Sequence, residues 1–146
     1  MTELERVCFE QGLFYRRDRG GVSVLATGQN PERSHWVKVN VTQNGYFGLM
    51  VRFPRFRARR IQNVEGFCGQ LYEGMMSGAR LMYGETDLRF YMYDVIHESA
   101  LASHLAFIAR DCDLAKPICE RVCELGYWDS TLLAFVLQPP KGQKPH

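Results

Sequence analysis

Apolar and polar positions along this chain recur with two different periods, and the order in which those periods alternate predicts the fold. Residues 2–12 carry Leu4, Val7, Cys8 and Gln11 on one face of a helix, with Gly12 as its stop. Thr2 and Glu5 have capping-box spacing at its start. Two short strands are predicted over residues 14–17 and 22–26, joined through Asp18-Arg19-Gly20-Gly21, whose glycines supply the positive φ of a tight turn. Residues 27–34 are polar, contain Pro31 and read as a loop. Strict alternation then returns. Val37, Val39 and Val41 share one face of residues 35–41, with Trp36, Lys38 and Asn40 on the other. Across an Asn44-Gly45 turn, Phe47, Leu49, Val51 and Phe53 alternate with Tyr46, Gly48, Met50 and Arg52, and Pro54 ends the run.

Residues 64–83 read as one helix with Asn63 as N-cap, because Val64, Phe67, Cys68, Leu71, Met75, Ala79 and Met82 keep helical spacing. Gly66, Gly69, Gly74 and Gly78 weaken that helix, and two roles fit them: close approach to a sheet, or a helix–helix contact through Gly74-x-x-x-Gly78. Leu88, Phe90 and Met92 alternate with Arg89, Tyr91 and Tyr93 in a strand over residues 88–96 that is bulky on both faces. A helix over residues 100–125, capped by Ser99, carries Leu101, Leu105, Ile108, Cys112, Ala115, Cys119 and Val122 in a stripe. Pro117 within it predicts a kink or a split. The sum is a two-layer α+β domain over residues 1–128, with an antiparallel sheet of about five strands, an N-terminal helix, a middle helix and a long kinked final helix. Residues 129–146 are expected to be an apolar segment followed by a loose tail after Pro139-Pro140.

A chain of 146 residues is large enough to bury one core without staples. No run reaches the ~20 apolar residues of a membrane span. Residues 1–6 are acidic and helical rather than basic then apolar, so no secretory signal is expected. Five cysteines, an odd number spread through helical segments, fit reduced thiols in the cytoplasm. Eighteen basic residues against sixteen acidic ones give a net charge of +2, too small to imply a polyanion partner by itself.

Candidate chemistry is sparse. Cys112, Cys119 and Cys123 stand on a helical stripe, with no CxxC pair of the kind that converges on zinc, and read as small buried hydrophobes. Cys112 with His104, or Ser103 with His97, would be the only nucleophile–base pairs to consider, and nothing in their spacing orients the base. No phosphate-cradling glycine motif is present. No cofactor, no metal and no enzymatic activity are therefore expected.

One cluster rises above that background: Arg52, Arg55, Arg57, Arg59 and Arg60, interleaved with Phe53 and Phe56. Three readings fit it. Guanidinium groups with interleaved aromatics bind single-stranded nucleic acid. A basic strand edge discourages edge-to-edge pairing. An acidic protein segment is the third fit. Trp36, Tyr46, Met50, Tyr91 and Tyr93 fall on the sheet face opposite the valines, where aromatic and apolar groups mark interaction surfaces.

The order of these elements resembles the YbjN family of bacterial sensory-transduction regulators, whose fold is similar to that of type III secretion chaperones. The likeness lies in the helix ending Phe9-Glu10-Gln11-Gly12-Leu13-Phe14, the hairpin strands 36–41 and 48–53, the strand 89–93, and the late Pro117 of residues 113–119. It spans about residues 4–125. The resemblance implies a non-enzymatic, homodimeric protein that binds other proteins. The expected function is thus a protein-binding regulator or chaperone-like module. Its contact residues would be Trp36, Tyr46, Met50, Tyr91 and Tyr93, with Arg55, Arg57, Arg59 and Arg60 steering an acidic partner. The alternative is a single-stranded nucleic-acid binder using residues 52–60.

Overall fold

Alternating valines need a dry surface to face, and three helices supply it on one side of a six-stranded antiparallel sheet. The structure is a computed structural model that describes residues 2–42 and 44–129, the side chains at 93–95 lying outside that description. Its strands are β1 (Tyr15–Asp18), β2 (Gly21–Thr27), β3 (Ser34–Val41), β4 (Phe47–Pro54), β5 (Arg80–Tyr83) and β6 (Asp87–Ile96). They lie in the spatial order β1-β2-β3-β4-β6-β5. The helices are α1 (Glu3–Glu10), α2 (Val64–Gly74) and α3 (Leu101–Leu125). The α+β class read from the alternation is the one observed, with one strand more than the five expected.

Val24, Val37, Leu49, Phe90 and their alternating neighbours are buried in one cluster with Leu4, Val7, Phe67, Leu71, Leu105, Ile108 and Cys112 from the helices. The α3 helix therefore covers the valine face, not the aromatic one. Thr2 accepts from the Glu5 amide at 3.2 Å and starts α1, while Gly12, at φ 68°, lets the Leu13 amide close on Cys8 O at 2.8 Å. Glu5 reaches back to Thr2, accepting from its hydroxyl at 3.1 Å, and the same buried carboxylate also accepts from Arg17 Nε and Nη2 of β1 at 3.0 and 2.7 Å.

Residues 64–83 are not one helix. The α2 helix stops at Gly74, Met75 is extended, and Gly78 has φ 74°. The Met76 and Ser77 amides donate instead to the buried Asp111 carboxylate of α3 at 2.8 and 2.9 Å. That clip turns the chain, and residues 80–83 then pair with β6 as an edge strand. Strand pairing outweighed a helical spacing that continued by coincidence through Met75, Ala79 and Met82. The Gly74-x-x-x-Gly78 helix contact is removed with it.

The glycines of α2 do not hold it close to the sheet either. A side chain at Gly69 would meet nothing within 4 Å, and one at Gly74 would make an ordinary contact with Leu114 at 3.6 Å. Asn63 sits in the left-handed region without capping α2, its side chain lying over Gly66. Ser99 does not cap α3; its amide donates to His97 Nδ1 at 3.2 Å in a short 3₁₀ turn. Pro117 does not split α3, which continues to Leu125 while Ile118, Cys119 and Val122 keep the buried stripe in phase. Core burial on both sides of the proline outweighs the one lost hydrogen bond.

No helix among the described residues is long and apolar enough to cross a membrane. Residues 130–146, including the apolar run at 132–137, lie outside the described residues.

Gly28, in the β2–β3 loop, rests directly on α3: an added Cβ would stand 2.6 Å from the Arg110 amide nitrogen. Backbone cannot yield as a side chain does, so Gly28→Ala should destabilise the fold by about 1–3 kcal/mol. Gly69→Ala, in open space on α2, should stabilise it by about 0.5–1 kcal/mol. Urea titration of both variants checks the opposite signs.

Candidate functional site

In an antiparallel sheet, directly opposed residues put their side chains on the same face. The register therefore assembles the uncovered face row by row. One row crosses all six strands: Arg16, Ser23, Lys38, Met50, Tyr91 and Arg80. A second runs Arg52, Arg89, Met82. Trp36, opposite Leu25, stands two residues along β3 from the Lys38–Met50 pair and so beside Arg52. The face is apolar in the middle and cationic around it.

Two contacts fix its side chains. The Arg16 guanidinium lies over the Trp36 ring at 4.1 Å from the centroid, a cation–π contact that leaves the indole 39% exposed. Arg52 and Arg89 are opposed like charges, a pairing that alone would be unfavourable. Asp87, with a side chain only 4% exposed, lies between them and accepts at Oδ2 from both Nε atoms at 2.8 Å. The Arg89 hydrogen bond, with that of Arg52, holds the Asp87 carboxyl below the usual carboxylate range, against burial, which works in the opposite direction.

The structure brings together Trp36, Met50 and Tyr91 among the residues singled out from sequence. Tyr46 stands apart, in the β3–β4 turn, with its ring edge-on to His97 at 6.2 Å. It stands six residue steps along the chain from Arg52, about 20 Å of extended backbone. The side chain of Tyr93 lies outside the described residues. Arg55, Arg57, Arg59 and Arg60 are not on this face, nor do they guard a strand edge. Beyond Pro54 the chain turns onto the helix layer, where Phe56 is buried and stacks on Phe67 with centroids 5.7 Å apart. Arg59 pairs with Glu85 of the β5–β6 turn at the sheet end. Arg55 joins Phe53, Phe56, Lys116, Cys119 and Cys123 around a cleft of about 620 Å³.

The cations that do reach the face are Arg16, Lys38, Arg52, Arg80 and Arg89. Alternation in the sequence placed Lys38, Arg52 and Arg89 opposite the buried positions, but the binding role went to Arg55, Arg57, Arg59 and Arg60, because a contiguous run was weighted over period-two placement. Arg89 and Asp87 were legible as alternating partners of Tyr91. Arg80 was hidden by the helix assigned to its strand.

Elsewhere the chemistry is quiet. Burial pushes the Cys112 and Cys119 thiols up, and Cys68 up to about 11, so none offers a ready thiolate. His104 and Cys112 lie eight residues apart on α3, about 12 Å along its axis and beyond hydrogen-bond reach. His97 is engaged by Ser99, its Nδ1 lying 2.9 Å from the Ser99 hydroxyl, not by Ser103. Among the described residues no three His, Cys, Asp or Glu side chains are placed to hold a metal ion.

No protein-family model, curated protein or solved structure significantly matches the chain.

Because the Asp87 carboxyl is held down in the folded chain, its ionised form favours folding at neutral pH. That contribution is lost as pH falls below about 4. Asp87→Asn should therefore be destabilising near neutrality and flatten part of the acid decline in stability. Urea midpoints measured across the acid range for both proteins check it, and parallel curves would count against the triad.

Proposed function

We propose that this chain is a non-enzymatic protein-binding regulator or chaperone-like module that presents the uncovered face of its sheet to a partner with an acidic segment. One observation carries the reading. Every helix packs on the valine side, so Trp36, Met50 and Tyr91 are left among Arg16, Lys38, Arg52, Arg80 and Arg89 with no element of the described chain laid across them. Aromatic and arginine side chains are the types that dominate binding hot spots. Positive charge around an apolar centre suits an acidic partner with apolar anchors and speeds their encounter. Arg55, Arg57 and Arg60, at the end of β4, extend the positive field without belonging to the contact surface.

A protein partner is favoured over single-stranded nucleic acid by the state of the aromatic groups. Base stacking requires a ring face free to receive a base. Arg16 already occupies one face of Trp36.

The test is affinity capture from a lysate of native cells, with and without nuclease. Wild-type chain should retain a discrete protein in both samples. The double variant Trp36→Ala, Tyr91→Ala should lose about tenfold or more in affinity for that protein, in line with hot-spot truncation, while melting cooperatively. Undiminished capture by the folded variant would remove the face from the site. Nuclease-sensitive material with no stable protein would make nucleic acid the ligand.

A further inference from the structure

The Arg52–Asp87–Arg89 triad is built for more than neutralising two opposed charges. Both arginines use Nε toward Asp87, and among the described residues neither makes another side-chain bond. Their terminal Nη atoms are left to solvent on side chains 55% and 44% exposed. The carboxylate that orients them is buried. Its seat is made by the β5–β6 turn, where the Gly84 amide donates to Asp87 O at 2.9 Å and an added Cβ on Gly84 would stand 2.8 Å from Asp87 Oδ1. A carboxylate locked below the surface thus sets two guanidinium groups with their free edges outward.

Oxyanions are bound most strongly where such donors are fixed in advance and charge-assisted. We propose that Arg52 and Arg89, held by Asp87, form a clasp for a carboxylate of the partner's acidic segment. Two cations and one carboxylate leave a single uncompensated positive charge, which one ionised Asp or Glu side chain balances. Met82 is paired with Arg89, and Trp36 stands beside Arg52, so the acidic residue would be flanked by apolar ones on both sides. The assignment rests on reading this face as a protein-binding surface, and the test below separates the two.

Arginine Nε–Hε resonances of the full chain would be followed during titration with acetylated, amidated tetraglutamate. Tetraglutamine and a thymidine tetranucleotide are the comparison probes. Arg52 and Arg89 resonances should move saturably with tetraglutamate and not with tetraglutamine. Arg52→Gln should weaken tetraglutamate binding about tenfold, the loss typical of a charge-assisted hydrogen bond. Gly84→Ala should weaken it several-fold while keeping both arginines and the net charge, by displacing the Asp87 carboxylate that orients them. Arg121→Gln, on the exposed side of α3, should leave it unchanged. A well-dispersed amide spectrum would establish that each variant is folded. Unmoved arginine resonances, or equal affinity for wild type and Arg52→Gln, would overturn the clasp even if the Trp36 and Tyr91 variant loses its partner. Tighter binding of the tetranucleotide would overturn the carboxylate assignment in favour of phosphate. Tetraglutamate bound at the clasp, with protein capture indifferent to Trp36 and Tyr91, would uphold the clasp and sink the wider reading of the face.

Discussion

Register between β3 and β4 is the constraint on which the rest of this molecule depends. Side chains in a strand have a period of two, so a one-residue slip would carry Val37, Val39, Leu49 and Val51 to solvent and turn Lys38, Met50 and Arg52 against α3. Burying an apolar side chain of this size is worth roughly 1.5–3 kcal/mol, and forcing an unpaired charge into the same space costs far more. The slip is thus excluded twice over. The same exclusion fixes the opposite face: once the valines are beneath the helices, the tryptophan and the cations have nowhere to go but the uncovered side.

Three buried carboxylates lock this arrangement at its edges. Glu5 ties α1 to β1 through Arg17, and Asp111 ties the α2–β5 connection to α3 through two backbone amides. Asp87 ties β4 to β6 on the far face. A carboxylate taken out of water needs full compensation. Each of these finds two or more hydrogen-bond donors, so each acts as a directional constraint where the apolar core is only an adhesive. The first two serve the helix layer. Asp87 alone serves the surface opposite, which is why its effect extends to the groups a partner would meet.

The parts of the fold written in local alternation were legible from the amino-acid order. The β3–β4 hairpin, β6 and the stripe of α3 all declare their buried face every second or every third to fourth residue. What was not legible depends on contacts between distant segments. Nothing near Met76 and Ser77 announces that Asp111, some 35 residues on, will accept their amides and end a helix whose spacing still continues. Pro117 does not split α3, since its local cost is outweighed by burial supplied from the sheet. The arginine run misled because clustering in sequence is not clustering in space. Pro54 and the buried Phe56 carry Arg55, Arg57, Arg59 and Arg60 around the sheet end, while Arg16, Arg52, Arg80 and Arg89 meet on one surface from four different strands.

That surface is also shielded by its own side chains, and this bears on what it can bind. Met50 is half-buried although no helix of the described residues packs on this face, and Ser23 is buried on the same row. The Arg16 guanidinium lies over the Trp36 ring, and Arg52 and Arg89 are drawn onto Asp87, so cationic groups stand over and beside the apolar centre. A wholly apolar partner would have to displace these charged groups and leave them without water, at a cost that burial of a few methyl groups does not recover. An acidic, partly apolar partner needs no such displacement. It can exchange hydration of the guanidinium heads for charge-assisted hydrogen bonds and cover the stems, the indole and the thioethers in the same step. On the proposed reading, that shielding is therefore the feature that would select among partners.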